Sequence, residues 1–212
     1  MLYNELPAHW QRIFALEWDS LCRGSKAIAA VITDSAGNIV SEGRNMICES
    51  VVPNPSTLHA ETEAVRTLDV AKYPDKWSLT LHAALEPCIM CMGTIVMGGI
   101  RRIEIAAHDD YGGAVCLLDR FEFARRKGIE VVWLEDGLGD IQRGFQTIRE
   151  LLYNTDEEKR GRMLRDFSQR YGRGVEAAQS IADGGFFAEG QPSDYTAAEI
   201  FDELSKRAGL WE

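Results

Sequence analysis

The chain predicts an α/β fold: a three-layer α/β/α sandwich around a mixed five-stranded sheet, followed by a helical C-terminal extension. Three observations predict it. An apolar run, a Gly- and Asn-containing turn and a second run near residue 40 read as a hairpin, which is antiparallel. Beyond it, strand-like runs alternate with helix-length segments, which pairs strands in parallel and covers both faces of the sheet. After about residue 155 the strand signal stops and the composition turns densely charged.

The elements follow in order. Residues 7–23 form a helix, with Pro7 in its first turn, Trp10, Ile13, Phe14, Glu17 and Leu21 at helical spacing, and Gly24 as its stop. Residues 27–33 and 39–42 are the hairpin strands, joined by Asp34, Ser35, Ala36, Gly37 and Asn38. Asn45 falls just past the second strand. A rigid loop at Pro53 to Thr57 leads into a helix from Leu58 to about Asp69, with Ala60, Ala64, Val65 and Leu68 as its buried stripe. Its first turn holds His59. Glu63 reads as a solvated helix position. Residues 77–85 are an apolar run of central-strand character. Pro87 stops that strand and allows a helix to begin. Residues 88–97 are apolar nearly all round, which predicts a buried helix. Strands at 102–107 and 129–134 bracket a polar loop at residues 108–113 and a helix at 117–127. A last helix at 141–153 closes the first domain, residues 1–154. Residues 155–212 form the extension, too short for a stable core of its own.

Composition narrows the function. The 23 Lys and Arg against 33 Asp and Glu leave a net charge of −10. Phosphate binding rests on Lys and Arg, so this balance weighs against a polynucleotide substrate while leaving room for a local basic patch. The basic clusters in view are Arg101-Arg102 and Arg125-Arg126-Lys127; residues 151–212 carry 8 basic and 12 acidic groups. Five scattered cysteines are no disulfide framework. The opening residues lack an apolar signal core, and no run has membrane-spanning length. A reducing cytoplasm is the expected location, with no membrane partner.

Chemistry concentrates in two short stretches, His59-Ala60-Glu61 and Pro87-Cys88-Ile89-Met90-Cys91. One imidazole and two thiols match zinc, and three protein ligands leave one tetrahedral position for water. Cys88 and Cys91 are one helical turn apart at a helix start, where the backbone favours thiolates. His82, His108, Cys48 and Cys116 are the candidates for a fourth, closing ligand. Glu61, beside the imidazole, is the candidate general acid and base.

The order H-x-E, then P-C-x-x-C, is the signature of zinc-dependent base deaminases. Over about residues 5–150 the chain resembles the cytidine and deoxycytidylate deaminase superfamily. Leu85-Glu86-Pro87-Cys88-Ile89-Met90-Cys91-Met92-Gly93 is more similar to the guanine, cytosine and tRNA-adenosine deaminase branch. The resemblance implies one Zn2+ per chain held by His59, Cys88 and Cys91, with Glu61 catalytic. It also implies a cytidine deaminase-like sheet, a homodimer, and contacts to the substrate base from Asn45, the backbone near Ala60, and Asp109. In relatives the C-terminal segment covers the pocket; Tyr153, Phe167 and Trp211 are the aromatic residues placed to do so. The expected activity is hydrolytic deamination of a small nucleobase, nucleoside or related amino-heterocycle, with guanine or adenine ahead of cytosine. Adenosine deamination in tRNA is the second reading. A silent zinc module serving as an interaction platform is the third.

Overall fold

The computed structural model describes residues 1–187 and 190–211. Five strands, β1 (Ala29–Thr33), β2 (Ile39–Arg44), β3 (Thr80–Leu85), β4 (Arg102–Ala107) and β5 (Glu130–Trp133), form one sheet in the order β2-β1-β3-β4-β5. β1 pairs antiparallel with both β2 and β3, and the pairs β3-β4 and β4-β5 are parallel. The mixed sheet of the sequence reading is therefore present. Its hairpin turn is closed by the Asp34 carboxylate, which accepts from the backbone N–H of Ala36 and Asn38.

Alternation along the strands sorts the core into two layers. Ala30, Ile32, Leu81, Ala83, Ile103 and Ile105 point to one face. There they meet α2 (Ala60–Thr67) and α3 (Ile89–Gly98) through Ala60, Ala64, Met92 and Ile95. Ala29, Val31, Ala84 and Ala106 point to the other face, against α1 (Ala8–Cys22) and α6 (Leu138–Tyr153). Two short helices, α4 (Leu117–Arg120) and α5 (Glu122–Arg125), lie on the crossover from β4 to β5. They stand where one helix over 117–127 was expected; Phe121 is extended (φ −110°, ψ 119°) and separates them.

The extension comprises α7 (Glu157–Asp183) and α8 (Ala197–Arg207). Ala177, Ala178, Ile181, Ile200, Phe201 and Leu204 are buried in the same cluster as Trp10, Phe14 and Phe145. The extension thus completes the outer layer of the core. α7 lies hard against α6 because Gly174 permits it: a Cβ there would sit 1.9 Å from the Asp140 carbonyl oxygen. The Asp140 carboxylate accepts from Gly174 N–H at 3.1 Å and from Arg173 at 2.9 Å, which pins the contact.

Three sequence expectations need correction. Trp77 is 68% exposed and lies before β3, under the Arg101 guanidinium, so the central strand starts three residues later than its apolar run suggests. Glu63 is buried rather than solvated, and its carboxylate takes both Nε and Nη2 of Arg66. α3 is not enclosed on all sides: Ile89 and Met97, two turns apart, are 69% and 72% exposed.

Candidate metal centre and active-site cavity

The site is assembled from two helix starts on one side of the sheet. His59 is the residue that caps α2, in extended conformation (φ −87°, ψ 150°), and Cys88 caps α3 in the same way (φ −70°, ψ 175°). β2 sets the position of the first start. A Cβ on Gly43 would lie 2.1 Å from the Ala60 carbonyl oxygen, so only glycine lets α2 come this close. Glu86 and Pro87 set the second. The Glu86 carboxylate accepts from the N–H groups of Asp109 and Val115, both at 3.2 Å, and the Pro87 carbonyl accepts from Ala114 N–H at 3.0 Å. The loop after β4 is thereby fastened to the cysteine pair.

Three ligand atoms converge. His59 Nδ1, Cys88 Sγ and Cys91 Sγ form a triangle with edges of 3.6, 3.6 and 3.7 Å. Zinc bonds of about 2.3 Å to sulfur and about 2.0–2.1 Å to nitrogen, at tetrahedral angles, require edges of about 3.6–3.8 Å. The donor set and its spacing fit that ion. Among the described residues no further His, Cys, Asp or Glu joins the group. Cys48 and Cys116 are exposed, His82 is in the opposite core layer with its Nε2 2.9 Å from Thr33 Oγ1, and His108 stacks on Trp133.

The electrostatics suit a cation. The contact between the two sulfurs holds the Cys88 thiol well below its ordinary range despite its half-buried position, with His59 adding to the effect. The same contact, with burial, pushes Cys91 up, and the contact with Cys88 raises His59. A cation held by both sulfurs would displace the remaining thiol proton. Glu61 is buried, and burial raises its carboxyl above the usual range. Its Oε2 lies 3.3 Å from Cys91 Sγ, beside the triangle and outside it.

The corner opens into a cavity of about 690 Å³ that His59, Asn45 and Asp109 line. Asn45 is 1% exposed; its Oδ1 accepts from Ile47 N–H at 3.3 Å. Asp109 lies 3.4 Å from Arg143 Nη2.

The chain is similar to known deaminases. The family model for the cytidine and deoxycytidylate deaminase zinc-binding region matches residues 8–107. A tRNA-specific adenosine deaminase of Aquifex aeolicus is 31% identical over 135 residues, 60% of this chain and 85% of that protein. The chain belongs to the cytidine and deoxycytidylate deaminase family. A Haemophilus influenzae tRNA-specific adenosine deaminase is 39% identical over 103 residues, 47% of this chain but only 56% of its own length. The guanine deaminase from Nitrosomonas europaea shares the fold, with a TM-score of 0.51 at 21% identity over 66% of this chain and 84% of that one.

Within this family frame, the structure brings His59, Glu61, Cys88 and Cys91 together and puts Asn45 and Asp109 in the cavity wall. Ala60 is fully buried beneath them. Of the three aromatic candidates for a cover, Phe167 lines the cavity. Trp211 lines a different cleft with Phe186 and Tyr195, and Tyr153 lines neither. The basic clusters singled out in the sequence are engaged elsewhere: Arg102 pairs with Glu104 and Glu130, Arg101 bonds the Lys127 carbonyl, and Arg126 pairs with Glu122.

Sequence reasoning missed the wall that α6 and α7 supply. Arg143, Gln146, Lys159, Arg170 and Tyr171 line the cavity beside Phe167. At Tyr171 the backbone of α7 leaves helical geometry (φ −123°, ψ 45°), and its hydroxyl accepts from His108 N–H at 2.7 Å. No local pattern marks these residues, because their role depends on where α7 docks.

Proposed function

We propose that this chain is a zinc-dependent hydrolytic deaminase of a small nucleobase, nucleoside or related amino-heterocycle, with purines ahead of cytosine. The observation that carries the reading is the three-atom triangle with a buried carboxylate beside it, opening into a cavity of about 690 Å³. When bound, zinc would supply a Lewis acid that makes water a nucleophile near neutral pH. The chain's own residues do the rest. His59, Cys88 and Cys91 would hold the ion. Glu61, close to the triangle and shielded from solvent, would carry protons to the ring nitrogen and then to departing ammonia. Asn45 would bond the base, and Asp109 would orient it from the opposite loop. Phe167 would cover it.

A tRNA substrate is the second reading, favoured by the printed activities of the Aquifex and Haemophilus relatives. Against it stands α7, whose Phe167, Arg170 and Tyr171 stand in the cavity wall and narrow the room for a nucleotide still joined to its chain. A screen of ammonia release over bases, nucleosides, nucleotides and a tRNA anticodon stem-loop tests both. Release from small substrates supports the first reading, and release from the stem-loop alone replaces it with the second. Zinc retained with no release from any of them would favour the silent module.

No helix among the described residues is long and apolar enough to cross a membrane. We place the protein in the cytoplasm, as a homodimer. The exposed Ile89 and Met97 support the dimer, since an apolar stripe on α3 is well suited to a second copy. Sedimentation should show a dimer that Ile89→Glu with Met97→Glu converts to monomer; an unchanged species would remove α3 from the interface.

A further inference from the structure

A second group of metal-ligating side chains lies on the other face of the sheet from the metal corner. His9 of α1, His82 of β3 and Glu104 of β4 each bring a donor atom to within 4.8 Å of the other two. His82 is 4% exposed. Its Nδ1 is buried and makes no hydrogen bond with any described residue, although Glu104 Oε2 stands 3.0 Å away. A buried polar atom without a partner is costly and rare in folded proteins, and an ion is one of the few groups that satisfies it. Against this nitrogen stand the other two donors, the Glu104 carboxylate and the His9 ring, whose centroid is 4.1 Å from that of His82. Both reach solvent: the Glu104 side chain is 20% exposed and His9 is half-buried. An ion therefore enters by way of its own ligands.

The alignment also favours a cation over a proton. A hydrogen bond needs the acceptor on the N–H axis, whereas two donors to one ion each aim at the ion and not at each other. At bonds of about 2.0–2.2 Å, a nitrogen and an oxygen 3.0 Å apart subtend about 90° at the metal. That angle and a sulfur-free N,O donor set suit Ni2+ or Cu2+. Supporting contacts are in place as well. His82 Nε2 is held at 2.9 Å by Thr33 Oγ1, which leaves Nδ1 for the ion. Arg102 occupies Glu104 Oε1 at 3.0 and 3.2 Å and leaves Oε2 toward His82, while Glu130 offsets the Arg102 charge at 2.6 Å. Ligation requires the His9 ring, now tilted 32° against His82, to turn its edge to the ion; its half-buried place in the first turn of α1 lets it.

We propose that His9, His82 and Glu104 form a second metal site, for a divalent cation of the Ni2+ or Cu2+ type, which ties α1 to β3 and β4. The site is independent of the deaminase reading. With no sulfur and an edge open to solvent, it gives up its ion on desalting, whereas the thiolate corner keeps zinc.

The test uses Ni2+ as the probe on full-length protein loaded with zinc and desalted. Calorimetry and metal analysis after equilibrium dialysis should show one Ni2+ per chain beyond the zinc, with a Kd of about 10 μM. At a hundredfold excess over that Kd the melting temperature should rise by about 5 °C. His9→Gln, at a half-buried position, and Glu104→Gln should each weaken binding by about tenfold to a hundredfold. His9→Gln should leave ammonia release unchanged. Bound Ni2+ should quench Trp10, whose ring centroid is 6.1 Å from that of His82, and Trp10→Phe should remove that quench. Cys88→Ala, with its zinc corner emptied, should still take one Ni2+.

No Ni2+ beyond the zinc overturns the proposal, as does binding that both His9→Gln and Glu104→Gln leave unchanged. Quenching that survives Trp10→Phe, or Ni2+ lost together with zinc in Cys88→Ala, places the ion elsewhere and overturns it too. Ni2+ bound as expected by a protein that releases no ammonia upholds the site while the deaminase reading falls.

Discussion

The floor and the roof of the cavity are built by different means. On the floor, His59 and Glu61 are two residues apart and Cys88 and Cys91 three apart, each pair fixed by one helix start. The roof comes from α7, more than 50 residues further along the chain than the loop it meets. It is fastened by scattered contacts: Tyr171 to His108 N–H at 2.7 Å, Arg170 to Asp110 at 2.9 Å, and Gly174 to Asp140 at 3.1 Å. Short-range geometry therefore places the candidate ligands and Glu61, and long-range docking shapes the cavity above them. Damage to the floor should stop the reaction. Damage to the roof should change how well a molecule is held.

The largest effect belongs to the floor ligands. Cys88→Ala or His59→Ala should lower zinc from one per chain to less than about a tenth, since two remaining ligands make a poor site, and ammonia release should fall to background. Metal analysis of the purified variants checks this. Unchanged zinc content would remove that residue from the ligand set.

A smaller effect separates the roof. Tyr171→Phe removes one hydrogen bond to the loop after β4 and leaves the floor intact. KM should rise by about three- to tenfold with kcat nearly constant, as expected for lost uniform binding. A fall in kcat comparable to that of a floor variant would break the division drawn here.

An effect on stability with no expected change in turnover lies outside the cavity altogether, in the opposite core layer. His82 is buried against His9, with its Nδ1 3.0 Å from Glu104 Oε2 but out of line for a hydrogen bond. Burial, with the charge of His9 adding to it, holds His82 down at about 4, below its ordinary 6.5. The folded state thus prefers the neutral ring. The associated stability is complete above about pH 6.5 and is lost as pH falls toward 4, by about 3 kcal/mol in all. Urea unfolding at pH 7.5 and 4.5 should show that loss, and His82→Gln should flatten the slope. A slope unaltered by His82→Gln would assign the acid sensitivity to other groups.

The same contrast explains what could be read from the chain before its structure. The strands were legible because β4 alternates cleanly and because Asp34 to Asn38 spell a turn. The cluster of His59, Cys88 and Cys91 was legible because zinc demands particular atoms at particular spacings, and Cys-x-x-Cys at a helix start offers two of them locally. Ile89 and Met97 were misread as buried because a helix apolar nearly all round does not reveal which face the rest of the chain leaves uncovered. Glu63 was misread as solvated because its partner, Arg66, makes burial tolerable and pattern alone does not weigh pairs. Arg143 and Gln146 carried no signal, since their place in the cavity wall depends on how α6 packs between the sheet and α7. Phe167 was one of three aromatic candidates, and only the docking of α7 distinguished it.

The most direct test is a single paired measurement on the best substrate of the screen. Wild-type and Glu61→Gln proteins are reconstituted with zinc, and metal content and ammonia release are determined on the same samples. The account predicts one zinc per chain in both, with release slower by about 10²–10⁴-fold in the variant, the range for a lost general acid and base. Full turnover by a zinc-loaded Glu61→Gln protein would contradict it.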